Sequence, residues 1–150
     1  MTAKQMSEAV HRFLEEANDV QYLKNRDYHP DDVAFLEILR TAFECGITVE
    51  QDLWAKIRKQ YIALQSYVIG KKLESEPPRS RMIDVAVYMG MLACWEQNRL
   101  EILRGAAKFV LVSTPCEQKE KGGRVCLVGD EPCPSCAFYA WLENLVNQAR

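Results

Sequence analysis

The stretch that most constrains the fold is RSRMIDVAVYMGMLACW, at positions 79–95. Between Met82 and Trp95 every residue is apolar except Asp84 and Gly90, so a helix here has no face suited to water. The pattern predicts a central helix on which the other segments pack. A carboxylate in such a helix is costly to bury unless a cation, a hydrogen-bond donor or a metal meets it. Asp84 is therefore the first candidate functional residue.

Four further segments have the apolar spacing of amphipathic helices, with residues recurring at intervals of three and four. They cover about residues 3–24, 32–45, 48–73 and 137–148, and the central helix is predicted to extend to near Gly105. Helices joined by short loops pack most simply as an antiparallel bundle. The sequence therefore predicts a mainly α fold, with a helical bundle over residues 1–105.

Residues 106–150 differ from the preceding helical segments in amino-acid composition. KFVLVST and RVCLVG are rich in β-branched residues and are separated by a charged loop containing Gly-Gly, which predicts a small β-hairpin. The final helix carries an apolar stripe with which it is predicted to pack on the bundle. We therefore expect a second segment, residues 106–150, made of this hairpin and the last helix.

Four of the six cysteines lie in this second segment, at Cys116, Cys126, Cys133 and Cys136. In a reducing compartment such clustering indicates a metal before disulfides. The final pair, CPSC, has the two-residue gap of a zinc knuckle, and the hairpin would supply the other two thiolates. We predict a structural Zn²⁺ site, with disulfides in an exported protein or a redox CxxC pair as alternatives. Because four thiolates leave no open position for a substrate, this site predicts stability and not chemistry.

The charge pattern excludes some classes of partner. The net charge is −2, and basic residues alternate with acidic ones, as in KKLESEPPRSR. A long nucleic acid or an anionic membrane requires a surface of one positive sign, whereas a small phosphorylated ligand requires only two or three cations. The N-terminus lacks a signal peptide's apolar core, and the apolar run ending before Glu96 is too short to span a bilayer. We expect a cytoplasmic protein.

Polar residues near Asp84 suggest where chemistry could occur. Arg81 and Tyr88 lie about one helical turn on either side of Asp84, so both can reach its side chain. Lys56, in the preceding helix, is placed to contact phosphate. Each residue also has a purely structural interpretation: Asp84 as a carboxylate paired with Arg81 or a lysine, and Lys56 as part of a solvated helix face.

A second polar group is the segment DYHPDD, which contains Asp27, Tyr28 and Asp31. Three carboxylates and an imidazole gather there within six residues. Oxygen-rich loops of this kind can hold Mg²⁺. The structural alternative is a turn followed by a helix cap.

The order of these motifs resembles a known family. Four segments follow one another as in the nucleotide modification associated domain family of small phage and bacterial proteins. They are KNRDYHPDD, a helix ending in Gly-Ile, LWAKIRKQYIALQSY and RSRMIDVAVYMGML. That family is similar to the all-α MazG-like nucleotide pyrophosphatases. The resemblance covers about residues 22–95. The matching positions are Asp27, Tyr28, Lys56, Asp84 and Tyr88, and a shift of three residues would match Lys59 in place of Lys56.

The chain also departs from the MazG-like pattern. Those enzymes resemble one another in an EExxE motif followed by ExxD, which together hold a metal that activates water. Here Glu15, Glu16 and Asp19 imitate the first motif, while Arg81 replaces the acid of the second and leaves Asp84. Metal-assisted cleavage of a phosphoanhydride normally uses several carboxylates, so the departures weaken the case for hydrolysis more than the case for binding.

Three hypotheses follow. The first is a nucleotide-handling protein of phage or bacterial type. In this hypothesis Asp84, Asp27 and Asp31 bind a metal, and the ligand contacts Lys56, Arg81, Tyr28 and Tyr88. If the protein is an enzyme, it is a metal-dependent phosphohydrolase. The second is a nucleotide sponge with the same pocket and no turnover. The third is a zinc-stabilised helical interaction protein, for example a phage-encoded inhibitor of a host complex. The apolar surplus on the central helix also favours a homodimer.

Overall fold

A computed structural model describes residues 1–28, 35–73, 76–113, 127–128 and 131–149. It contains two strands of two residues each, β1 (Leu127–Val128) and β2 (Glu131–Pro132), which pair antiparallel. The mainly α fold class is confirmed, and within these ranges no helix combines the length and apolarity needed to cross a membrane. The helices are α1 (Ala3–Tyr28), α2 (Leu36–Cys45), α3 (Val49–Val68), α4 (Pro78–Ser113) and α5 (Pro134–Gln148).

The chain forms two compact units. The first comprises Met1–Asp32 with Val49–Cys94, and the second comprises Val33–Thr48 with Trp95–Arg150. The helix α4 contributes residues to both units. The backbone of Asn98 leaves the helical region inside α4 (φ −123°, ψ 18°).

In the first unit, α1 packs on α4 through apolar side chains at helical spacing. Ala17 is 5% exposed, and Ile83 and Val87 are 7% and 8% exposed. Met6 and Val10 follow the same helical spacing along α1, but more than half of each side chain is exposed. The cluster consists of Phe13, Ala17, Val20, Ile83, Ala86, Val87 and Met91.

In the second unit, aromatic side chains hold the helices together. Phe35 lies against Trp95 with ring centroids 5.8 Å apart. Phe43 of α2 contacts two rings of α5, with centroid distances of 5.4 Å to Phe138 and 5.7 Å to Trp141. The final helix therefore packs as its apolar stripe predicts, here against α2.

The predicted first strand of the hairpin is wrong. KFVLVS, residues 108–113, continues α4. The reason is visible in the burial pattern, since Leu103, Ala106 and Val110 are 0%, 0% and 4% exposed and follow helical spacing. This packing outweighs the β propensity of the valines. The described part of RVCLVG, Leu127–Val128, instead pairs with Glu131–Pro132.

Three local sequence patterns can be compared with the structure. A glycine directly after an apolar helical pattern predicts a left-handed helix end, and Gly46 ends α2 at φ 64°. The segment NRDYHPDD predicts a helix break from Asn25, but α1 continues through Tyr28, because the ring of Pro30 disfavours helical geometry only at His29. Apolar surroundings in the sequence predict core positions for Cys45 and Cys94, but both cysteines are exposed.

Candidate functional site

One face of α3 carries polar side chains at intervals of four residues. Asp52, Lys56 and Gln60 follow this spacing, which places them one above another along the helix. The Lys56 ammonium donates a hydrogen bond to the Asp52 carboxylate. The Asp52 side chain is 10% exposed and the Lys56 side chain is 35% exposed, so the pair lies at the edge of a buried surface. Lys56 is therefore accessible although it is paired.

Gln60 connects α3 to the central helix. Its Nε2 donates a hydrogen bond to Oδ2 of Asp84 at 3.0 Å, and its Oε1 accepts one from Nη1 of Arg81 at 2.6 Å. Gln60 and Arg81 are 7% and 9% exposed, while Asp84 is partly buried. We call this arrangement the amide bridge, and together with Asp52 and Lys56 we call it the α3–α4 polar cluster.

The amide bridge meets the electrostatic requirement of the central helix. Burying a carboxylate and a guanidinium requires hydrogen-bond partners for both. One amide serves both groups, because its NH₂ donates to the acid and its oxygen accepts from the base. The Glu76 carboxylate lies 3.6 Å from Nη1 of Arg81 and adds a negative charge beside the guanidinium. Asp84 is thus met by a donor, as its position in the apolar run requires.

The structure brings some of the predicted site residues together. Arg81 and Asp84 are joined through Gln60, and Lys56 lies one turn before Gln60 on the same face of α3. Tyr88 follows Asp84 by four residues on α4 and is partly buried. Asp27 and Tyr28 lie in the last turn of α1, but their side chains are outside the described part of the chain, as is the whole of Asp31.

Sequence reasoning missed the residue that organises the cluster. The sequence pattern favours polar faces of α3 at Lys56, Arg58, Lys59 and Gln60. It also favours an inward apolar stripe that includes Trp54 and Tyr61. In the structure Gln60 points inward, and Trp54 and Tyr61 are each 55% exposed. The available signal was the four-residue spacing of Asp52, Lys56 and Gln60, which marks one continuous polar stripe.

A second charged pair on the same unit is exposed. Arg79 donates hydrogen bonds to both carboxylate oxygens of Glu16, with Nε 3.4 Å from Oε1. The hydrogen bond that Arg79 donates to Glu16, together with the negative charge of Glu16, raises the pKa of Arg79 above its ordinary value. The two side chains are 64% and 41% exposed, so water screens this pair far more than it screens the amide bridge.

The predicted zinc site is partly within the described residues. Cys133 is the N-cap residue of α5, and Cys136, 7% exposed, lies in the first turn of that helix. Cys116 and Cys126 lie outside the described residues, and the described ranges contain no group of three His, Cys, Asp or Glu side chains placed for a metal.

Thiolates are ligands that Zn²⁺ prefers, and Cys133 and Cys136 at the start of α5 are the two predicted ligands that the structure describes. The four-cysteine Zn²⁺ site stays a prediction.

Comparison of the chain with protein-family models, with curated proteins and with solved structures gives no match. The similarity to the nucleotide modification associated domain family therefore stays a prediction from the order of motifs.

Proposed function

We propose that this protein binds a nucleotide or another small phosphorylated ligand at the α3–α4 polar cluster. One observation carries the proposal: residues far apart in the sequence, Lys56 on α3 with Arg81 and Asp84 on α4, belong to one partly buried polar cluster. Cations suit phosphate oxygens, and a carboxylate suits the divalent cation that accompanies a nucleotide.

The exposure of each group suggests its role. Lys56 is the accessible cation. Its ammonium has three donors, so it can contact a phosphate and keep its hydrogen bond to the Asp52 carboxylate. Arg81 is held in the amide bridge and is buried, which suits a residue that orients Gln60 and Asp84.

Hydrolysis requires more carboxylates than the described cluster places at one point. The sequence predicts that Asp27 and Asp31 join Asp84 at Mg²⁺, and these two side chains lie outside the described residues. A bound Mg²⁺ would neutralise phosphate charge and lower the pKa of a bound water. We therefore propose ligand binding as the function of the cluster, with turnover dependent on Asp27 and Asp31.

The test is isothermal titration calorimetry with a panel of nucleoside mono-, di- and triphosphates, in the presence and absence of Mg²⁺. We expect Asp84→Asn and Lys56→Gln each to weaken binding by about tenfold or more, because each removes a charged contact with the ligand. Asp84→Asn keeps an acceptor for Gln60, so circular dichroism should show an unchanged fold.

Lys59→Gln is the matched control, because Lys59 is an exposed lysine on the same helix and is outside the cluster. It should bind as the wild type does. Failure of every nucleotide in the panel to bind, or loss of binding in Lys59→Gln with retention in Lys56→Gln, would contradict the proposed site. Recovery of intact ligand after incubation separates a nucleotide sponge from an enzyme.

A second candidate function, a helical interaction protein, is favoured by the exposed apolar stripe of α1. Met6, Val10 and Leu14 follow one another at four-residue spacing and are 54%, 53% and 52% exposed. Acidic and basic residues are mixed on the rest of this helix, which suits an amphipathic helix of a protein partner better than a lipid surface. Native mass spectrometry of the protein purified from cells would report a bound partner, retained nucleotide and subunit number in one experiment.

A further inference from the structure

A cavity lies on another face of α3. It is an open cavity with a volume of about 640 Å³, and the lining residues that the structure describes all belong to α3. The lining is mainly apolar. The lining residues are Gln51, Trp54, Ala55, Ile57, Arg58 and Tyr61.

This cavity is separate from the α3–α4 polar cluster. Trp54 follows Asp52 of the cluster by two positions, and Arg58 follows Lys56 of the cluster by two positions. Two residues advance about 200° around an α-helix, so the two sets of side chains point to nearly opposite sides of α3. A ligand in the cavity would not be the ligand of the cluster.

The two aromatic side chains of the lining are exposed. Trp54 and Tyr61 are each 55% exposed, so water covers apolar surface of both rings. They are seven residues apart on one helix, which places them on the same face with Arg58 between them. A flat aromatic molecule could therefore contact both rings and cover apolar surface that water now covers.

Arg58 defines the charge of the ligand. Among the lining residues that the structure describes, it is the one that carries a charge, and no ion pair joins it to another described residue. A planar guanidinium beside aromatic rings pairs with carboxylate, sulfonate or phosphate oxygens and also stacks on rings. We propose that the Trp54–Arg58–Tyr61 face is a binding site for a small aromatic anion.

Two fluorescent probes with the same ring system test the proposal. 8-Anilinonaphthalene-1-sulfonate carries a negative charge, and N-phenyl-1-naphthylamine lacks it. We expect Arg58→Gln to weaken binding of the sulfonate by about fivefold and to leave the affinity for the neutral probe unchanged. Trp54→Ala should weaken binding of both probes by about tenfold, because it removes a ring contact.

Lys59→Gln removes a positive charge from the same helix outside the cavity and serves as the control for general electrostatic attraction. It should bind both probes as the wild type does. Equal loss of sulfonate binding in Arg58→Gln and Lys59→Gln would overturn the assignment to Arg58. Retention of full affinity by Trp54→Ala would overturn the site itself. Because Trp54 is half exposed, its removal should leave the helical circular dichroism signal intact.

Discussion

Replacing Gln60 by leucine is expected to lower the free energy of unfolding by about 3 kcal/mol. Leucine has a similar volume, so the change removes hydrogen bonds and leaves little empty space. Asp84 loses the donor at 3.0 Å, and Arg81 loses the acceptor at 2.6 Å. Both charged groups remain in place, and removing a hydrogen-bond partner from a buried or partly buried charged group costs more than the bond itself contributed. Urea denaturation followed by circular dichroism would measure the change.

A triple variant distinguishes this cause from a simple loss of contacts. Gln60→Leu combined with Arg81→Met and Asp84→Leu removes the charged groups along with the amide. Replacing a whole buried polar network by apolar side chains is often neutral in stability. We expect the triple variant to recover most of the stability that the single change loses. If both variants were equally unstable, the explanation by lost hydrogen-bond partners of charged groups would be wrong.

Glu16→Gln supplies the control at an exposed ion pair. It also removes one charge from a hydrogen-bonded pair, in this case the carboxylate that contacts Arg79. Because the Glu16 side chain is 41% exposed, water can replace the lost interaction. We expect the unfolding midpoint of Glu16→Gln to stay close to that of the wild type. A loss as large as that of Gln60→Leu would show that burial does not control the effect.

The helices were largely predictable because their apolar spacing is regular. The final helix and the Gly46 cap follow directly from local sequence. The position at which α4 ends was not predictable from local sequence. Val110 and its neighbours favour a strand by their residue types, whereas their burial favours a helix. Such tertiary contacts are not visible in a short window of sequence.

The candidate site was predictable in part for a related reason. An acid in an apolar run must have a partner, so Asp84 could be singled out from the sequence. Its partner Gln60 could not, because an amide within a lysine- and arginine-rich segment has the pattern of a solvated face. The orientation of α3 was ambiguous as well, since Trp54 and Tyr61 offer an apolar stripe that the structure leaves exposed. Only the packing of α3 on α4 decides between the two faces.

Metal removal is expected to have the largest effect on the second unit. We propose that Cys116, Cys126, Cys133 and Cys136 bind one structural Zn²⁺. Two of these four cysteines, Cys133 and Cys136, lie at the start of α5. Structural zinc contributes on the order of 10 kcal/mol to the folding of small zinc modules. A strong chelator should therefore release one equivalent of zinc and disorder the start of α5.

The aromatic contacts of Phe43 with Phe138 and Trp141 provide the readout, because loosening of α5 would expose Trp141 and shift its fluorescence to longer wavelength. Added Zn²⁺ should reverse the shift, whereas Mg²⁺ should not, since thiolates prefer the softer ion. Cys136→Ser should lose the metal, and Cys45→Ser, which changes an exposed cysteine outside the cluster, should retain one equivalent. The zinc proposal would be wrong if the purified protein contained no zinc and if its mass were lower by the hydrogens lost in disulfide formation. That result would show that these cysteines form disulfides.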